Sequence, residues 1–224
     1  MNYALTGKLI LKDWYLQRWL ILMALLGGLA SLGIVCLGGQ IAFMIGLILF
    51  ITALVAAGAQ FPIGSIVNER KEQTLPFVMS LPISFREYTA SKLVGTFSIF
   101  FLLWAALVGC VGILFVLPNG IPHGMFPFTA IMAVELLLSN CLVLVVALVT
   151  ESQRWTICAV MVGNVALDLI GFSILQLPGI AAGFRSKQVM WSSTASVILL
   201  TEFALIAGLL SLCAFLQSRK KDFL

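Results

Sequence analysis

With 224 residues, 61% of them hydrophobic and only 10% charged, the chain carries well under half the charge of a soluble domain. It has far more apolar surface than a water-soluble protein of this size can hide, so its solvent over most of its length is lipid. The net charge of +4 says little until it is placed by side. The five cysteines (Cys36, Cys110, Cys141, Cys158 and Cys213) fall inside apolar runs without CxxC spacing, which argues for packing between helices rather than a disulfide framework or a metal site.

From Asn2 to Arg18 the chain opens on an amphipathic stretch. Tyr3, Leu5, Leu9, Ile10, Trp14 and Leu16 alternate at helical spacing with Lys8, Lys12, Asp13 and Arg18, the pattern of a helix lying in the membrane interface. A cleaved signal peptide is the competing reading, but the apolar run that follows is too long and has no small-residue cleavage site. The first span is expected over about Trp19 to Leu37 and ends in a tight turn at Gly38, Gly39 and Gln40. The second runs from about Ile41 to Val67, longer than the roughly 20 residues a bilayer needs, with a kink expected at Pro62.

The long polar segment between these spans and the next, Ile66 to Val94, holds Glu69, Arg70, Lys71, Glu72, Arg86, Glu87 and Lys92. Thr74 suits an N-cap, and Pro76 sits in the first turn, where its missing N–H does no harm. Leu75, Phe77, Val78, Met79 and Leu81 then form a short apolar helix that Pro82 stops. Ser84 and Glu87 are spaced as a capping box that starts the third span. An exposed apolar helix between two breaks is read either as a protein contact or as a segment resting on lipid headgroups.

The third span is expected over about Leu93 to Leu117. Pro118, Asn119, Gly120, Pro122 and Gly124 mark a turn, and a metal or catalytic role has little support at the lone His123. The remaining spans are placed at about Phe128 to Val149, Trp155 to Leu177 and Ser193 to Leu216. Between the last two lies a connection containing Arg185, Lys187 and Trp191. Trp14, Trp19, Trp155 and Trp191 read as interface anchors. Gly46, Gly58, Gly109, Gly163 and Gly171 read as sites of close helix approach.

Six spans put both termini on one side. With the N-terminus cytoplasmic, the inner segments hold eleven basic residues and the outer ones only Arg185 and Lys187, a strong positive-inside asymmetry. The fold expected is all-α: a single multi-pass integral membrane domain over residues 1–224, in the cytoplasmic membrane, with both termini inside. It has an interfacial N-terminal helix and a short cytoplasmic helix between spans two and three.

Three acids fall inside spans: Glu135, Asp168 and Glu202. Each lies roughly 10 to 14 Å below the outer surface at about 1.5 Å of helix rise per residue. Asn164 lies one turn from Asp168, and Ser139 one turn from Glu135. Carboxylates at such depth should face a cavity or one another. One reading is an acidic patch in a translocation path for a cationic peptide, drug or ion. The other is helix–helix hydrogen bonding by protonated acids.

The run NERKEQTLPFVMSLPISFREYTASKL resembles the first cytoplasmic loop of permeases of type 2 ABC transporters, the exporter class. Glu69, Thr74, Leu81, Pro82, Ser84 and Lys92 stand where that pattern has its Glu, Thr, Leu-Pro, Ser and Lys. Gln73 departs from the usual Gly, so the turn before the helix would be shaped differently. The resemblance implies that the short helix is a coupling helix docking on a separate ATPase. Docking would then fall to Thr74, Leu75, Phe77, Val78, Met79 and Leu81, flanked by Glu69 and Arg70. It further implies two ATPase copies carrying the ATP and Mg, and a second permease chain, identical or not. This chain has no GxxxxGK[ST] loop of its own and is expected to have no catalytic, metal or cofactor site and no nucleic-acid partner. Competing classes are an ion-coupled secondary transporter, which should show internal repeats and broken helices, a membrane-embedded enzyme, and a non-transporting sensor or immunity subunit.

Overall fold

The computed structural model of the chain describes residues 3–71, 85–116, 122–181, 183, 186 and 188–219. Among these every regular element is helical: α1 (Tyr3–Cys36), α2 (Gln40–Pro62), a π-helical turn (Ile63–Val67), α3 (Asn68–Lys71), α4 (Phe85–Val116), a 3-10 turn (His123–Met125), α5 (Phe126–Thr150), α6 (Gln153–Leu175), α7 (Pro178–Ala181) and α8 (Ser193–Arg219). Six helices are long and apolar enough to cross a membrane. They are α1, α2 with its extension to Lys71, α4, α5 with the turn before it, α6 and α8.

The expected interfacial helix is not set off by a break. α1 is one continuous helix of 34 residues, about 51 Å at 1.5 Å per residue, against a hydrocarbon core of about 30 Å. Its first turns therefore project beyond the core. They bury Asp13 and Gln17 and pack against the first half of α4, where Trp14 Nε1 reaches Ser98 Oγ at 3.4 Å. Trp14 is thus an internal packing residue, whereas Trp19, Trp155 and Trp191 are exposed.

The turn after α1 forms as expected. Gly38 and Gly39 have φ of 79° and 86°, the left-handed region that glycine enters without a Cβ clash. α2 and α1 then run back to back. A Cβ at Gly46 would lie 2.8 Å from the Ser31 carbonyl oxygen, so the two backbones touch. Gly58, Gly163 and Gly171 also sit at close contacts, with Asn140, Ser139 and Met132. Gly109 does not: nothing lies within 4 Å of a Cβ placed there. Small residues of this kind let helices approach where lipid offers no hydrophobic drive to associate.

Pro62 changes the helix type rather than ending the helix. A proline has no N–H to give the carbonyl four residues back, which here is that of Gly58. Asn140 Nδ2 takes that place, donating to the Gly58 carbonyl at 2.9 Å. The π-turn follows immediately, and Asn68 N–H closes it on the Ile63 carbonyl. The Phe61 carbonyl at its start accepts from Gln17 Nε2 at 3.2 Å and Ser65 Oγ at 2.9 Å. Side chains from α1 and α5 thus supply the donors that the break removes.

α5 is the hub. In its most apolar stretch 72% of residues are buried, against 17–28% in the other five spanning helices. It packs on α2, α4, α6 and α8, while α1 packs on α2 and α4. The central cluster includes Leu54, Phe61, Ile99, Phe100, Leu107 and Cys141. A second cluster, with Ile66, Leu144, Leu148 and Cys213, lies at the end of the bundle that carries the 72–84 segment, here called the loop end. A third, with Ile131, Ile174, Ile180 and Ala195, lies at the opposite end.

Candidate functional site

The 72–84 segment leaves α3 at Lys71 and rejoins the described chain at Phe85. The short apolar helix expected there, with Thr74, Leu75, Phe77, Val78, Met79 and Leu81, lies outside the described residues. Its two attachment points are within them, and they converge on one buried ion cluster.

On the incoming side, the π-turn and α3 place Glu69 facing inward, 8% exposed. On the outgoing side, the first two turns of α4 carry Tyr88 and Lys92, one turn apart. From α1 come Lys12 and Asp13. Lys92 Nζ lies 2.9 Å from both Asp13 carboxylate oxygens and 2.8 Å from Glu69 Oε1. The three N–H donors of an ammonium thus meet three carboxylate oxygens. Lys12 Nζ reaches the same Glu69 Oε1 at 2.8 Å, and Tyr88 Oη donates to Glu69 Oε2 at 3.0 Å. The Lys92 and Asp13 side chains are only 2% and 3% exposed, so water barely screens them.

Energetically this is a clamp. Isolated charges at such burial are very unfavourable, and removing one member of a buried pair costs about 3–5 kcal/mol. The cluster therefore holds the two ends of the 72–84 segment and the projecting part of α1 in one fixed relation. A second tie is weaker. The half-exposed Arg70 pairs with Glu151, which sits at φ 49° just past the C-terminus of α5, and so links the segment to the α5–α6 turn.

Glu69 and Arg70 are therefore adjacent in sequence and opposite in setting. Glu69 is turned into the protein and holds the base of the loop, while Arg70 stands at the surface. Asp13, Tyr88, Gln17 and Asn140 were not singled out by the sequence as site or packing residues. A lone acid among Lys8, Lys12 and Arg18, and a lone amide inside the apolar run of α5, are the signals that could have found the first and last.

The three intramembrane acids do not meet as one patch. Glu135 on α5 and Glu202 on α8 are 3% and 5% exposed and sit on facing helices. Asp168 is exposed on the outer face of α6, among exposed Val165, Leu169 and Phe172, with Asn164 half-buried one turn away. Among the described residues no group of three or more His, Cys, Asp and Glu could hold a metal ion.

A family model described as ABC-2 family transporter protein matches residues 8–218. The chain belongs to the ABC-2 transporter family. The match spans all six candidate membrane helices and the whole ion cluster, so this ABC-2 protein is a multi-pass membrane permease, a membrane component of a transport system. No curated protein and no solved structure matches the chain.

Proposed function

We propose that this ABC-2 permease is the membrane half of an ATP-driven exporter, and that the 72–84 segment is where a separate ATPase drives it. The observation that carries this reading is the buried cluster of Asp13, Glu69, Tyr88 and Lys92. A segment that only rested on lipid headgroups would need no such anchorage. A segment that must pass on force needs both its ends fixed to the helices it moves.

Thr74, Leu75, Phe77, Val78, Met79 and Leu81 would meet the ATPase, with Arg70 beside them at the surface. ATP and Mg belong to two copies of that partner. When ATP draws the ATPase copies together, displacement of the docked segment passes through Glu69 and Lys92 to α1, and through Arg70 and Glu151 to the α5–α6 turn. The excess of basic residues at the loop end supports its placement in the cytoplasm of the cell, with both termini there. A second permease chain, identical or not, completes the pathway. Its natural contact is the α6 face that carries Asp168, because a carboxylate turned towards lipid is strongly unfavourable. The buried acids favour a cationic cargo, and outward movement is taken from the resemblance to the exporter class.

The test is to replace Phe77 and Met79 with Asp and purify the chain with its ATPase. Export should stop while the protein still inserts in the membrane and ATP hydrolysis no longer responds to cargo. Normal export from that variant, or ion-driven uptake by the isolated chain, would overturn the proposal.

A further inference from the structure

Asp13, Gln17, Gly28 and Ser31 mark the side of α1 that is buried in the bundle, where the helix packs on α2 and α4. On the opposite side Tyr15, Arg18, Trp19, Leu22, Met23 and Leu26 are all exposed. They recur at spacings of three and four residues, so they form one continuous strip along the helix.

The strip changes chemistry along its length. From Trp19 to its end at Cys36, α1 rises about 27 Å at about 1.5 Å per residue, close to the hydrocarbon thickness of about 30 Å. Leu22, Met23 and Leu26 therefore lie at acyl-chain depth. Tyr15, Arg18 and Trp19 lie at the headgroup boundary on the side of the loop end, where Tyr and Trp rings are at home.

Arg18 is held at that boundary in a defined way. Its guanidinium carbon lies 4.1 Å from the centre of the Tyr15 ring and 5.7 Å from that of the Trp19 ring. Both distances are within the range of cation–π attraction. Stacking takes up a face of the guanidinium plane and leaves its N–H edge free to bond. Lys12 and Lys92 pair with Glu69, and Arg70 pairs with Glu151, but the described ion pairs include none to Arg18.

We infer that Arg18, Tyr15 and Trp19 form a site for the phosphate of one anionic phospholipid, whose acyl chains lie along Leu22, Met23 and Leu26. The edge of a guanidinium matches two phosphate oxygens at once. A soluble phosphoanion would leave the apolar half of the strip unmatched, and a lipid matches both halves in the order in which they stand. A choline headgroup carries its own cation, which competes with Arg18 for the phosphate, whereas a glycerol headgroup carries none. The loop end is cytoplasmic in the reading above, and the cytoplasmic leaflet is the anionic one. That reading supplies only the leaflet; the site itself needs no ATPase.

The probe is palmitoyl-oleoyl phosphatidylglycerol, with the phosphatidylcholine of the same chains beside it, titrated onto the 224-residue chain in detergent and read by native mass spectrometry. One phosphatidylglycerol should bind roughly fivefold or more tighter than phosphatidylcholine, the scale of one basic residue at an anionic surface. Arg18→Gln should remove most of that preference. Arg18→Lys, which keeps the charge without the fork, should keep part of it, and Tyr15→Leu should weaken it. Arg154 and Trp155 at the start of α6 are also exposed, but the described cation–π contacts include none to Arg154. Arg154→Gln should therefore change the preference by less than about twofold. All these side chains are exposed, so thermal unfolding should not move, which separates loss of the site from loss of the fold. Equal binding of the two lipids, or an Arg154→Gln effect as large as that of Arg18→Gln, would overturn the inference. Displacement of the lipid by inorganic phosphate would overturn it by making a free anion the ligand. So would a Met23→Cys variant that forms, in its own membrane, a disulfide-linked dimer absent from the parent chain, because a second copy would then cover the strip.

Discussion

Replacing Lys92 with Met tests the clamp directly. The substitution keeps most of the side-chain volume and removes one charge from a site where Lys92 is 2% exposed. Three contacts of 2.8–2.9 Å vanish together. Glu69 keeps Lys12 and Tyr88, but Asp13 loses the ammonium that both its oxygens face, in a side chain 3% exposed. Stranding one charge of a buried pair costs about 3–5 kcal/mol, or about two to three and a half orders of magnitude in the folding equilibrium. At the roughly 2–4 °C per kcal/mol usual for chains of this length, thermal unfolding in detergent should begin about 6–20 °C lower. The double variant Asp13→Asn with Lys92→Met removes both charges, so it should recover much of the loss, because an uncharged replacement of a buried pair is often neutral. ATP hydrolysis by the partner should persist in Lys92→Met while export falls. A Lys92→Met protein within about 1 kcal/mol of the parent, or an Asp13→Asn change that adds to the loss instead of offsetting it, would refute the clamp.

Asn140→Ala should leave the Gly58 carbonyl without a donor next to Pro62 and destabilise the bundle by about 1–3 kcal/mol, read by thermal or denaturant unfolding in detergent. Arg70→Ala should change stability by no more than about 1 kcal/mol, because its pair with Glu151 is half exposed and screened. The same variant should still lower affinity for the ATPase, measured by co-purification across a salt series.

The comparison of Arg70 with Lys92 shows what sequence can and cannot say about charge. Both stand in the polar stretch between spans two and three, and both belong to the cationic excess that orients the chain. Only packing sends Lys92 to Asp13, 79 positions away, while Arg70 stays at the surface. The N-terminal stretch is helical, as its spacing predicts. Its polar residues Asp13 and Gln17 turn inward, however, to buried partners at Lys92 on α4 and the Phe61 carbonyl on α2.

The sequence by itself determined the number of spanning helices, the tight glycine turn at Gly38 and Gly39, and the family. These follow from run length, turn chemistry and a local motif, which are properties of neighbouring residues. Which face of each helix looks inward was decided only by the tertiary structure. In a soluble helix the apolar stripe marks the buried face. In lipid, the outer surface is as apolar as the core, so periodicity cannot separate Asp168, which faces outward, from Glu135 and Glu202, which face each other's helices. For the 72–84 segment, which lies outside the described residues, the expectation of a short apolar helix stopped by Pro82 is legible from neighbouring residues. The clamp at its base is not, because it is assembled from α1, α3 and α4, which come together only in the folded chain.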